Sequence, residues 1–529
     1  MGFDIALLWR APEVNPITKK ARSVPILNPF DPYGRVFFFS WLGFMLAFWA
    51  WYTFPPLLSE TIAKDINLTT TQVANSNIVS LAATFFLRFV VGPLCDQWGS
   101  RNVYAGLLMV GCLPIGMAPL VKDATGLYVC RFFIGVLGAT FVPCQVWCTG
   151  FFDKNVVGTA NAIAGGWGNA GGGLTYVIMP AIFDSFVHDE GMTEHKAWRV
   201  TFVVPLVCLL ACSISMALLC AESPLGTWSE REQRIRENLA THSLQNQEIA
   251  DVPGKVTGLR SSEGVLSDEE KGTISGSDKC SGPDNKIELF GREGEASMTK
   301  SEAYETAQGE TIIKPTIREA LPVFMSLQTL FLVCTYGCSF GGELALNAIV
   351  SSYFMKNFPH LDQRRAGNYG SIFGFLNFAT RPLGGIVSDA LYRCTGRNLW
   401  SKKLWVTFCG VATGVTLIIV GRVDPSAAEG SSLGLLVGLV ALVAIFHELG
   451  NGANFGLVPH VHPFANGIVS GATGAGGNLG GVVFAIVFRF MNDGKDYAMA
   501  LWVIGIMQLG INLAVCWIPP IPKGQIGGR

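Results

Sequence analysis

The strongest constraint on this 529-residue chain is a series of twelve apolar stretches. Each runs to about 20 residues, the length that crosses about 30 Å of hydrocarbon as a helix. The first six lie near 36–58, 75–95, 102–120, 126–149, 158–183 and 200–220. The second six lie near 321–354, 366–390, 403–421, 431–455, 464–490 and 497–518. Several contain Gly or Pro, which bilayer helices tolerate because neighbouring helices re-satisfy the freed backbone groups. Only 15% of residues are charged, against about 25% in a soluble domain. A soluble enzyme with buried strands does not make runs this long. The expected fold is all-α and polytopic, with twelve transmembrane helices in two six-helix bundles.

Between the two sets lies 222–319, which holds 19 acidic and 12 basic residues, much Ser and Gly, and few aromatics. Such composition cannot bury a core and reads as a largely disordered cytoplasmic linker. The domain plan is an N-terminal arm over 1–35, a first bundle over 36–221, the linker, a second bundle over 320–520 and a tail over 521–529. Arg10, Lys19, Lys20, Arg22 and Arg35 in the arm, with Arg101, Lys154, Arg393, Arg397, Lys402 and Lys403 in even-numbered connections, put both termini inside by the positive-inside rule. Arg364 and Arg365 fall on the other side. Asn67-Leu68-Thr69 is a glycosylation sequon on the outer side. Ser261, Ser262 and Ser267 in the linker read as sites for a kinase. The 14 cysteines lie mostly in apolar stretches without metal-ligand spacing. No metal, cofactor or nucleic-acid partner is expected; the lipid bilayer is.

The two halves repeat each other. Arg88, Gly92 and Asp96 in the second stretch recur as Arg381, Gly385 and Asp389 in the eighth, each 293 positions on. Gly168-Asn169-Ala-Gly171-Gly172 in the fifth recurs as Gly477-Asn478-Leu-Gly480-Gly481 in the eleventh, displaced by 309. Such parallel duplications build carriers whose substrate site lies at the repeat interface near the midplane. Gly166-Trp-Gly168-Asn-Ala-Gly171 also satisfies the dinucleotide pattern G-x-G-x-x-G. It sits inside an apolar helix, without the strand that pattern requires, so an enzyme reading is rejected.

The segment Gly92-x-x-x-Asp96-x-x-Gly99-x-Arg101 resembles the loop motif of the major facilitator superfamily, with Gln97 where many members carry Arg. The glycine-rich segments, containing Gly166, Gly168, Gly171, Gly172 and Gly173 in one half and Gly476, Gly477, Gly480 and Gly481 in the other, are similar to the paired signatures of the nitrate/nitrite porter family. The resemblance covers nearly all of 30–520 and is closest to eukaryotic, fungal-type porters. It implies a major facilitator fold and secondary active uptake of nitrate or nitrite across the plasma membrane by proton symport. It also adds Phe48, Phe141 and Tyr336 as substrate-site candidates, and gives the loop residues with Gly385 and Asp389 a part in gating.

Arg88 lies eight residues before Asp96, so its backbone is about 12 Å deep at 1.5 Å per residue. One Arg at that depth costs about 2.5–3.5 kcal/mol even on the milder insertion scale, so such residues face cavities and serve function. Two facing guanidinium groups repel each other, and an anion between them offsets both penalties. Their planar, paired donors suit a flat oxyanion. The alternative is that each Arg bonds a carboxylate or backbone carbonyls and only ties helices together. Asn169 and Asn478 could donate to the same anion. Uptake of an anion into a negative interior is opposed by about 2.3 kcal/mol per 100 mV, and co-transport of two protons would reverse that. Glu343, set in an apolar run after Gly341-Gly342, is the proton-coupling candidate, with Glu448 a weaker rival nearer its helix end. Selectivity for nitrite or formate, or a transport-inactive anion sensor, are the alternative functions.

Overall fold

The computed structural model describes residues 5–522 apart from 16–17, 154–155, 245–316, 362, 397, 426–431 and 492–495. The first half contributes α1 (Pro32–Trp51), α2 (Thr70–Trp98), α3 (Ser100–Met117), α4 (Ala124–Phe151), α5 (Val157–His188) and α6 (Glu194–Leu219). The second contributes α7 (Leu327–Asn357), α8 (Gln363–Leu376 and Thr380–Cys394), α9 (Leu399–Val423), α10 (Leu433–Leu457), α11 (Asn466–Phe490) and α12 (Tyr497–Val515). Eleven of these are long and apolar enough to cross a membrane. The fold is the all-α, two-bundle architecture that the apolar stretches imply.

The exception is α8, expected as one helix over 366–390 but split in two. Pro382 explains the break: it lacks an amide proton and crowds the carbonyl four residues earlier. That carbonyl, on Phe378, accepts instead from Trp167 Nε1 at 3.1 Å. Within α4, Pro143 does the same just after Ala139 and Thr140. Val142 N turns to Ala139 O at 3.1 Å, which frees the Gly138 carbonyl.

Side chains fix several span starts. Asp31 accepts from Tyr33 N and Gly34 N ahead of α1, and Thr69 with Gln72 forms a capping box on α2. Ser326, Ser432 and Asp496 cap α7, α10 and α12. Each such cap contributes about 1 kcal/mol. Asn67 of the sequon stands just before the α2 cap at a left-handed φ of 55°.

Across the halves, α2 packs on α11 and α5 on α8. One buried apolar cluster joins Phe44 and Phe141 of the first half to Tyr336, Phe340 and Phe455 of the second. The N-terminal arm docks on the end of α4, where Ala21 N donates to Phe151 O at 2.8 Å and Asp153 N donates to Ala21 O at 2.9 Å. The first part of the expected linker is structured: 222–230 lies against the α2–α3 connection, and a helix runs over Arg231–Leu244. Residues 245–316, with Ser261, Ser262 and Ser267, and the tail from 523 lie outside the described residues.

Candidate functional site

Arg88 and Arg381 are both 0% exposed, in the middle of the molecule where the halves meet. Arg88 Nε and Nη2 donate to the Gly138 carbonyl at 3.0 and 2.8 Å, and its Nη1 donates to Gly474 O on α11 at 2.6 Å. The break in α4 supplies the first acceptor. Arg88 therefore ties α2, α4 and α11 together through backbone carbonyls. Arg381 differs. Its Nη2 donates to the Tyr336 hydroxyl at 3.0 Å, while Nε and Nη1 are buried without any hydrogen-bond partner. Neither guanidinium forms an ion pair with a carboxylate among the described residues.

The same aromatic rings lie near both cations. The Arg88 guanidinium carbon lies 5.1 Å and that of Arg381 5.3 Å from the Phe141 centroid. Phe141, Tyr336 and Phe340 stack nearly parallel, and Phe455 meets the stack edge-on. Ring faces offset part of the cost of burying the cations, at about 1–2 kcal/mol each. Glycines next to the two signatures leave room for this arrangement. A Cβ on Gly165 would lie 2.9 Å from Arg381 Nε, and one on Gly474 would lie 3.2 Å from Arg88 Cδ.

A polar cluster adjoins Arg381. Asn377 Nδ2 donates to Glu343 Oε1 at 2.7 Å and to Glu448 Oε1 at 3.2 Å. Asn451 Nδ2 donates to Glu343 Oε2 at 2.6 Å, and Thr380 bonds Glu448 Oε2. Asn169 reaches the cluster through Asn377, 3.5 Å away, while its own Oδ1 is buried without a partner. A small cavity beside it is lined by Phe48, Tyr52, Asn169, Tyr176 and Glu343, among others. Asn478 points elsewhere and donates to Gly474 O, the carbonyl that also serves Arg88.

The loop-motif residues close the end of the bundle that carries the linker. Asp96 Oδ1 accepts from Gly467 N at 3.1 Å, at the N-terminus of α11. In the matching place, Asp389 Oδ2 accepts from Thr159 N at 2.7 Å and Thr159 Oγ1 at 2.8 Å, at the N-terminus of α5. A carboxylate at a helix N-terminus is stabilised by up to about 2 kcal/mol when partly buried. Gly92 and Gly385 let α2 meet α11 and α8 meet α5 backbone to backbone. Arg101 pairs with Glu222 at 2.6 Å, and Trp228 packs on Gly99 (φ 85°) with its Nε1 donating to Asp96 O at 3.3 Å.

The sequence candidates Arg88, Arg381, Phe141 and Tyr336 thus converge, and Glu343 stands beside them. Phe48 packs against Phe44 and Tyr52 and lines the cavity beside Glu343. Asn169 and Asn478, paired in the repeat, enter different networks. Sequence reasoning missed Phe340, Phe455, Asn377, Thr380 and Asn451. For α10 a signal existed: Glu448, Asn451 and Asn454 recur every third residue in a helix otherwise apolar but for His447, and so mark one polar face.

The comparisons agree with this architecture. A model described as Major Facilitator Superfamily matches residues 40–273. Elsinochrome transporter 1 of Elsinoe fawcettii is 35% identical over 98% of this chain and 99% of its own length. High affinity nitrate transporter 2.5 of Arabidopsis thaliana is 29% identical over 94% of this chain and 82% of its own. Nitrate/nitrite transporter NrtP of Nostoc punctiforme is 26% identical, covering 93% of both chains. Among solved structures, the proton:xylose symporter XylE superposes with a TM-score of 0.59 at 12% identity, covering 90% of this chain and 94% of that one. Relatives matched along nearly the whole of this chain leave one assignment: this chain belongs to the major facilitator superfamily, within the nitrate/nitrite porter family.

Proposed function

We propose that the protein imports nitrate, and nitrite with it, by alternating access, with the anion held between Arg88 and Arg381 and its uptake coupled to protons through Glu343. It is a carrier, not an enzyme, and works in the plasma membrane with both termini and the linker cytoplasmic. The linker serines are kinase targets in this reading. The single observation that carries it is Arg381: a wholly buried guanidinium with two unpartnered nitrogens. Leaving buried donors unmade costs about 1–3 kcal/mol or more for a charged group, which a bound oxyanion would recover. Arg88 adds positive charge and fixes the opposite wall. Phe141 and Tyr336 set the spacing, Asn478 steadies the carbonyl that holds Arg88, and Asn169 and Phe48 line the approach. The aspartate locks of the Gly92–Arg101 loop and of Gly385–Asp389 must release for the carrier to open on the linker side.

A second reading takes its support from the 35% identical relative, which is named for elsinochrome. The closely packed rings beside the arginines favour a small, flat anion over a bulky solute. Competition decides between them. Uptake of labelled nitrate into liposomes should fall with added nitrite and chlorate, fall less with formate, and be untouched by elsinochrome. Elsinochrome transport without nitrate transport would favour the second reading. Nitrate binding without any flux would favour a sensor.

A further inference from the structure

Glu448 changes the charge count of the arginine site. Two guanidinium groups and one carboxylate leave a positive surplus whenever the anion is absent. With Glu343 and Glu448 both ionised, the two cations and two anions balance.

The hydrogen bonds say which form the structure fits. Both oxygens of Glu343 accept from amide nitrogens, at 2.7 and 2.6 Å, as an ionised carboxylate does. Glu448 Oε2 instead meets the Thr380 hydroxyl, which also lies 2.8 Å from Leu376 O. A hydroxyl has one proton to give. If Thr380 gives it to the Leu376 carbonyl, Glu448 brings the proton to its own contact. The pair then holds one proton, as two carboxylates bridged by one amide tend to. The site carries one net positive charge, the complement of one monovalent anion. An independent observation points the same way, since the unpartnered nitrogens of Arg381 stand in this site.

The groups facing the pair are few. Arg381 on α8 acts on both carboxylates, and Tyr336 on α7 and Tyr52 after α1 lie within electrostatic reach of Glu343. His447, next to Glu448, sits 3.3 Å from Gln508 instead.

Resting on the reading of Arg381 as the anion site, we propose that Glu343 and Glu448 act as one proton-binding pair bridged by Asn377, which takes up a proton with the anion and releases it as the anion leaves. The proton comes from the outer solution and goes to the inner one; no other bond changes. Loaded, the site holds two guanidinium groups, one anion and one carboxylate charge. Empty, it holds two guanidinium groups and two carboxylates. Both states are neutral, which a buried site favours because an uncompensated charge there is costly. Glu448 thus binds the proton together with Glu343 and is as necessary as it.

The test is nitrate affinity of the purified protein against pH. Wild-type affinity should weaken as pH rises, approaching about tenfold per pH unit once the pair has lost its proton, the slope for one linked proton. Glu343→Gln and Glu448→Gln each build in the missing proton, so each should bind nitrate with a Kd that stays flat across the same range. A Glu448→Gln variant that keeps the wild-type slope overturns the pair and leaves Glu343 alone. Should that variant misfold, proton uptake on adding nitrate to weakly buffered wild-type protein decides: about one proton per anion supports the pair, and none overturns it. Wild-type protein that binds no nitrate at any pH would refute the anion reading underneath, a different failure.

Discussion

Arg381→Lys should raise the KM for nitrate uptake by about a hundredfold or abolish uptake, while the protein still inserts and folds. Lysine keeps the charge but lacks the planar fork that meets an oxyanion with two parallel bonds. Each charge-assisted hydrogen bond of such a fork contributes about 1.5–3 kcal/mol in a buried site, and about 2.7 kcal/mol is a hundredfold. The cost to folding should be small, because two Arg381 nitrogens make no hydrogen bond in the structure. Arg88→Lys should also destroy uptake, by a different route. Its three nitrogens hold Gly138 and Gly474, so the ammonium would loosen the junction of α2, α4 and α11 as well as the site. Detergent melting temperature separates the two: it should drop for Arg88→Lys and hold for Arg381→Lys. Wild-type kinetics in either variant would remove the arginine pair from the account.

Glu343→Gln should lose pH-driven accumulation of nitrate yet keep exchange of internal for external anion. Gln is close in shape to the protonated acid, so the site stays ready for the anion whatever the pH. The variant can load, turn and unload with substrate at both faces. It cannot use an inward proton gradient, because no proton enters or leaves with the anion. The expected readout is a collapse of the accumulation ratio towards one with counterflow preserved. A variant that still concentrates nitrate in response to a proton gradient would place coupling at another residue. Loss of counterflow as well would mean that Glu343 holds the fold of the Asn377–Asn451 cluster rather than the proton.

The features written in the sequence are those with a length or a repeat. Apolar runs set the spans, and the 293-residue displacement of Arg88 and Arg381 placed both at one depth on opposite halves. What the repeat could not tell is how unlike the two arginines are. Arg88 does what the tie-helix alternative says, bonding carbonyls, because Pro143 frees Gly138 next to it. Arg381 remains open. Displacement by a fixed number equates backbone positions, not neighbours, so Asn169 meets Asn377 whereas Asn478 meets its own helix. Phe340 carried no mark that distinguishes it from any other aromatic in an apolar span. Glu448 looked too close to a helix end. The break at Pro382 brings Asn377 and Thr380 to it, a consequence of tertiary packing that no local pattern contains. The first residues of the linker likewise read as solvated chain, yet Glu222 accepts from Arg101 and Trp228 packs on Gly99 of the α2–α3 connection.

The central claim, a proton-coupled nitrate carrier built on the arginine pair, is tested most directly by tracer nitrate uptake into liposomes that hold the purified protein and nothing else. With the outside more acidic than the inside, nitrate should accumulate above its external concentration, and a proton-conducting ionophore should abolish the accumulation. Liposomes that take up no nitrate, or that equilibrate it equally with and without the pH gradient, would contradict the account.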